Sequence, residues 1–440
     1  MRRACLPADP GGMTDDDSTG ATPSRQPDAQ PPAERDEEVH VRADSSDAML
    51  ALIPHLLGFY PSRSLVVLGL TGQRGRVRVT FRYDLPDPAD AVLAADVAEH
   101  AASVLRRQRI GRAALVGYGP AALVAPILAT TMDWLVADGV QLREVLRADG
   151  GRYWSVLCDD PACCPAEGRP FDPGSHPVSA AMAEAGLAAL PDRAALARTL
   201  QPRPGSAASI RQATRRAERR LCDLGDTEWA AGQREPQAAT AEVGRLAVQQ
   251  AISRYRAGKE ISAPDDLAWL SILLADLRVR DDAWARMDPR YRQAHCRLWT
   301  DVVKGASCEY VPAPASLLAF TAWQSGNGAL ASCAVDRALA ARPGYSMALL
   351  LAGALEAGLP PSAAKLPMTP AEVARSYADQ DGKAPRPVRA PATRATGKNT
   401  GRSRTSPKAQ RARQSDNSQS RTTRAGSGSR TSGASRRPSG

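Results

Sequence analysis

The sequence predicts an α/β domain with a mixed sheet over residues 41–200, then an all-α domain over 202–367. Two observations predict this: apolar strand-like runs alternate with helical 3.6-residue patterns up to about Leu200, and only helical patterns follow. A third bounds the fold: residues 1–40 and 368–440 have no hydrophobic periodicity and read as disordered N- and C-terminal tails.

Ser46-Asp47 supplies N-capping oxygens ahead of a short apolar helix, Ala48–Leu57, which Gly58-Phe59-Tyr60-Pro61 ends. Leu65–Leu70 is apolar throughout, the mark of a strand buried on both faces. After the Thr71–Gly75 turn, Arg76–Leu85 alternates, with Val77, Val79, Phe81 and Tyr83 expected on one face of a hairpin strand. Pro88–Arg107 and Ala121–Ala137 carry helical stripes on either side of the apolar strand Ala113–Gly119. Leu142–Leu146 and Tyr153–Leu157 complete the expected strands.

Seven helices are expected beyond Pro202: Ser206–Leu224, Ala238–Arg256, Pro264–Val279, Arg290–Val303, Ala315–Ser325, Ala329–Ala341 and Tyr345–Ala357. Gly225, Gly258, Gly305 and Gly358 stand where C-terminal caps belong. Gly326, Ala331, Val335, Ala338 and Pro343 follow the small-residue and proline spacing of a tetratricopeptide unit's second half. One such unit is present, so the expectation is a single TPR-like hairpin rather than a solenoid, which needs several repeats to bury its faces.

The net charge of +10 is unevenly spread: Lys383–Gly440 holds 15 Lys/Arg and one acid, leaving the rest of the chain at −4. No charged n-region leads into an apolar core of a signal peptide, and no run of about 18 apolar residues is present to span a bilayer. Met13 is an alternative start. The expected compartment is therefore the cytoplasm, where cysteines persist as thiols.

Three of the eight cysteines stand in Cys158-Asp159-Asp160-Pro161-Ala162-Cys163-Cys164-Pro165. Structural zinc takes four ligands, usually as two spaced pairs, and a C-x₄-C-C stretch offers three. Adjacent cysteines share an ion only in a turn, which Pro161 and Pro165 favour; His176, Asp159 or Cys222 would be the fourth ligand. Cys158, Cys163 and Cys164 are thus the candidate metal ligands, with zinc the candidate cofactor. A redox thiol pair and a buried structural turn are the competing readings, and the last is favoured.

Other signals are weaker. Arg82 and Asp84 share a strand face and either meet an anionic substrate or form an ordinary ion pair. Gly117-Tyr118-Gly119-Pro120-Ala121-Ala122 fits G-x-G-x-x-A, but Pro120 removes a phosphate-facing N–H. The histidines form no metal or nucleophile–base pattern. Arg211, Arg215 and Arg219 stripe a basic helix and, with tail residues Arg402, Arg404, Arg411 and Arg413, are candidate polyanion contacts. Lys383–Gly440 lacks aromatics, so base stacking is excluded there.

Four stretches together resemble the actinobacterial family catalogued as domain of unknown function 4192. They are Pro54–Pro61 with Ser64–Val67; Arg82-Tyr83-Asp84-Leu85-Pro86; Gly151–Ser155 running to Cys163-Cys164-Pro165 and Gly168; and Ala322-Trp323 through Asp336–Leu339 to Pro343-Gly344-Tyr345 and Gly358–Pro361. The resemblance covers about residues 43–365 and implies a bacterial protein of unassigned role, with no catalytic residues to carry over.

These readings favour a non-catalytic protein-interaction or regulatory module. Its helical domain would engage a protein partner, and its tail would touch nucleic acid or an anionic surface without reading sequence. The alternative is a metal-binding or thiol-dependent enzyme centred on Cys158, Cys163 and Cys164, with Arg82 and Asp84 nearby.

Overall fold

Ser45 opens the first helix: its hydroxyl oxygen accepts a hydrogen bond from the Ala48 N–H, and α1 (Ser46–Leu57) runs to Gly58, whose φ of +78° ends it. The computed structural model describes residues 41–43, 45–73, 75–231, 236–363 and 368–383. The described residues all fall in one unit, Met1–Ala384. Both tails, with Arg402, Arg404, Arg411 and Arg413, lie outside them.

The apolar runs pair into a six-stranded mixed sheet: β1 (Ser64–Thr71), β2 (Arg76–Asp84), β3 (Arg112–Tyr118), β4 (Gln141–Asp149), β5 (Arg152–Ser155) and β6 (Arg169–Pro170). The order is β2-β1-β3-β4-β5-β6, with β3 and β4 the parallel pair and the other neighbours antiparallel. The parallel pair needs a crossover, which α3 (Ala121–Ala137) supplies.

Period-2 alternation sorts the strand side chains to two faces. Leu65, Val67, Ala113 and Leu115 face α3 and α2 (Ala91–Arg107), where Ala101, Leu105, Val124 and Ile127 cover them. Val66, Leu68, Ala114, Val116 and Leu146 turn the other way, onto Leu50 and Ile53 of α1. Val77 departs from the expected common face of β2. A register shift at Gly69/Leu70 sends it to the α1 side, while Val79, Phe81 and Tyr83 stay with α2 and α3.

Helices follow: α4 (Pro177–Glu184), α5 (Arg193–Arg198), α6 (Ala207–Ala231), α7 (Pro236–Arg256), α8 (Pro264–Leu273), α9 (Leu277–Ala285), α10 (Arg292–Gly305), α11 (Pro312–Gln324), α12 (Gly328–Ala341) and α13 (Ser346–Glu356). The single helix expected over Pro264–Val279 is two, because the Asp276 carboxylate accepts from the Arg278 N–H and starts α9 afresh. Gly225, expected as a cap, is inside α6 instead. A helical glycine costs only about 1 kcal/mol, which a long helix tolerates. Helix α14 (Pro370–Lys383) lies where composition predicts none: Val373 is buried, and the Tyr377 hydroxyl donates to Asp281 Oδ2 at 2.6 Å.

The α1 side of the sheet and the helices share one apolar cluster that runs from Leu50 to Leu351. Polar ties reinforce it. His100 bridges the Tyr83 hydroxyl and the Glu356 carbonyl, Gln108 donates to the Gly358 carbonyl at 2.8 Å, and Arg193 of α5 pairs with Asp336 of α12 at 2.8 Å. Within the helical part, α11 and α12 are joined by three residues and pack through Ala331 and Ala338, both fully buried.

Candidate metal centre

The cysteine turn is the loop between β5 and β6. Strand β5 leaves the sheet after Ser155, although Val156 N–H still donates to the Val145 carbonyl at 2.8 Å. The chain then reverses and returns at Arg169–Pro170, where Arg152 pairs with Pro170 and Tyr153 with Arg169. The loop is thus closed by its own hairpin and sits at the sheet's β6 edge.

Backbone hydrogen bonds shape it. The Asp160 carbonyl accepts from both the Cys163 N–H (3.1 Å) and the Cys164 N–H (2.6 Å), and Asp160 Oδ1 accepts from the Ala162 N–H at 2.9 Å. This winding turns two adjacent cysteines to one side, which extended chain cannot do. The three ligand atoms of Cys158, Cys163 and Cys164 all lie within 4.8 Å of one another, close enough to hold a metal ion. Cys163 is exposed; Cys158 and Cys164 are half-buried.

Electrostatics differentiate the sulfurs. The Asp160 N–H, and then the Cys164 thiol, hold Cys158 below the ordinary thiol range. The same contact with Cys158 pushes Cys164 up to about 11. The two sulfurs are thereby set apart, Cys158 the more acidic and Cys164 the less. Arg169 Nε donates to the Cys163 carbonyl at 2.6 Å, placing a cation beside the sulfurs.

The loop's far side is pinned by Trp154. Its Nε1–H donates to the Ala166 carbonyl at 2.9 Å, the Arg147 guanidinium lies 3.5 Å from the ring centroid, and Arg152 donates to the Gly168 carbonyl at 2.7 Å.

Among the described residues, none of the expected fourth ligands joins the three sulfurs. The His176 ring caps α4 by accepting from the Val178 N–H at 3.2 Å and faces Asp47 at 3.8 Å. Cys222 lies exposed on α6. Asp159 stands in the loop but outside the group. Arg82 and Asp84 are not near the turn. They sit on β2, four strands from β5, or roughly 19 Å at ordinary strand spacing. There they pair with each other, and Arg82 Nε donates to Ser64 Oγ at 2.6 Å.

The G-x-G-x-x-A stretch is packing rather than a phosphate cradle. A Cβ on Gly117 would meet Val124 at 2.2 Å, and Pro120 caps α3 with no side-chain bond. Of the basic candidates, Arg211, Arg215 and Arg219 form an exposed i, i+4 ridge on α6 without ion pairs among the described residues, whereas Arg216 is engaged with Asp265 at 2.7 Å and Arg220 lies over Trp269.

The sequence matches the family described as domain of unknown function (DUF4192) over residues 47–362. This chain belongs to that family. The match spans both the sheet with its cysteine loop and the helices to α13, so the DUF4192 region includes every element that builds the candidate centre. No curated protein matches the chain, and no solved structure does. No helix among the described residues is long and apolar enough to cross a membrane.

Proposed function

We propose that this DUF4192 protein is a non-catalytic regulatory module whose β5–β6 loop binds one zinc ion through Cys158, Cys163 and Cys164. The observation that carries the reading is the convergence of three thiols within 4.8 Å on a loop closed by its own strands. Thiolates are soft donors that suit zinc, and in the reducing cytoplasm they stay available as ligands. The Arg169 cation offsets the negative charge that three thiolates place on a divalent ion.

The test is metal analysis of the full chain purified with a phosphine reductant. One zinc per chain is expected, lost in a Cys163→Ser/Cys164→Ser variant that keeps the wild-type helical signal. Metal-free protein that takes up no zinc on titration overturns the reading.

A second reading concerns the helical part, as a docking surface for a protein partner. It is favoured by a cleft of about 280 Å³ walled by Trp284, Phe320, Trp323, Met347 and Leu351, with Leu350 75 % exposed at its rim. The exposed arginine ridge of α6 and the basic tail add weak, sequence-independent contact with nucleic acid or an anionic surface. A Leu350→Glu variant that keeps its fold is expected to lose a cross-link formed from position 354 to a partner of one defined mass. Retention of that cross-link removes the helical docking surface.

A further inference from the structure

We infer that the fourth coordination position of the cysteine centre accepts an exogenous small-molecule thiolate. This deepens the zinc reading above and rests on it.

The first argument is ligand count. Zinc in protein sites is four-coordinate, and sites with three protein ligands hold an exchangeable fourth. Among the described His, Cys, Asp and Glu residues only Cys158, Cys163 and Cys164 converge: of the candidates to complete the set, Asp159 stands in the loop but outside the group, and His176 and Cys222 are elsewhere in the fold. The second is access. Cys163 is exposed, the loop lies at the β6 edge of the sheet, and the neighbouring Val156 and Leu157 are about half exposed, at 45 % and 47 %.

The third argument is donor chemistry. Three thiolates on a divalent ion leave a net charge of −1. They quench the Lewis acidity that would sharpen the acidity of a bound water, so the centre is ill-suited to generate hydroxide. A sulfur donor matches the softened ion better than an oxygen does. The added negative charge is met from the sheet side. Arg169 stands against Cys163 and Arg152 is held at the Gly168 carbonyl, whereas Arg147, over Trp154, is already paired with Asp149 at 3.6 Å. On binding, the incoming thiol releases its proton to solvent, its sulfur bonds the metal, and the water leaves. No electrons are transferred.

Cobalt(II) substitution tests this on the full chain, kept anaerobic with a phosphine reductant so that no thiol is supplied. Sulfur-to-cobalt charge-transfer absorbance counts metal–sulfur bonds, so adding free L-cysteine should raise it by about one third as four sulfurs replace three. Serine, which offers a hydroxyl in place of the thiol, should leave it unchanged. The response should vanish in Cys163→Ser, a substitution at an exposed position. A tetrahedral cobalt spectrum that L-cysteine does not alter overturns the inference while leaving the metal site standing. So does light scattering that shows a metal-dependent dimer already carrying four sulfurs, for then a second copy supplies the thiolate. Failure of cobalt to bind at all overturns both readings.

Discussion

A Cβ on Gly168 would fall 2.4 Å from Cε2 of Trp154. The indole cannot retreat, because Arg147 covers its face and its Nε1–H is committed to the Ala166 carbonyl. Gly168 also adopts φ +78°, which L side chains rarely take. This one glycine lets the cysteine loop close onto the sheet.

Gly168→Ala should therefore destabilise the protein by about 1–3 kcal/mol through overpacking and backbone strain. Thermal unfolding measures it, and zinc content should fall in the same variant as the loop loosens. An unchanged melting temperature would remove the tie between Trp154 and loop closure.

Gly117 and Val124 should be energetically coupled. The Cβ of a Gly117→Ala variant would meet Val124 Cγ1 at 2.2 Å, at a cost of about 1–3 kcal/mol. Adding Val124→Ala should recover part of that loss in a double-mutant cycle. Strict additivity would place the conflict elsewhere.

His295, 2 % exposed on α10, should make stability depend on pH. Burial, helped by the nearby Arg256 and opposed by Asp288, lowers its pKa to about 4. The unfolded chain takes up this proton near 6.5 and the folded chain near 4, so stability is full above pH 6.5 and falls as pH drops toward 4. The loss is on the order of 3 kcal/mol. Urea unfolding at pH 7 and pH 5 should show it in the wild type. His295→Gln, which keeps an acceptor near the Asp288 N–H, should show a smaller difference. Equal pH dependence in the two proteins would exonerate His295.

Helix α14 should be held largely by Tyr377 and Val373. Removing the hydroxyl in Tyr377→Phe deletes a hydrogen bond to the Asp281 carboxylate and should cost about 1–3 kcal/mol locally. Faster amide exchange over 370–383, with the sheet unaffected, is the expected signature. A uniform change across the chain would argue against local docking.

For polyanions, Arg211, Arg215 and Arg219 changed together to Gln should lower the salt dependence of heparin binding. The slope of log affinity against log salt should fall by roughly 0.7–0.9 per arginine that meets the polymer. Truncation after Lys383, which spares α14, removes the basic tail as a whole, 14 Lys/Arg with Arg402, Arg404, Arg411 and Arg413 among them. If neither change alters retention, the basic residues serve only solubility.

Much of the fold was legible because its signals are local. The apolar run Leu65–Leu70 had to be a buried strand, and the stripe over Ala121–Ala137 matches α3 end to end. The break in Pro264–Val279 was less visible, since the apolar pattern runs on through it and the Asp276 carboxylate alone interrupts it. Helix α14 was hidden for the opposite reason: its own composition is poor, and Asp281 and the α9 surface supply the stability it lacks.

The same division runs through the candidate centre. Three cysteines within seven residues, with Pro161 between them and Pro165 after them, are close whatever the rest of the chain does, so local chemistry alone pointed to Cys158, Cys163 and Cys164. Asp159 was left out by the winding of the turn itself, but whether His176 or Cys222 joined the sulfurs, and whether Arg82 and Asp84 stood beside them, depended on strand order and on which helix faces which edge. Those are long-range arrangements, set by burial of surfaces far apart in the chain. Tertiary packing put Arg82 four strands away, committed His176 to the start of α4, and left the three sulfurs together with a neighbouring arginine.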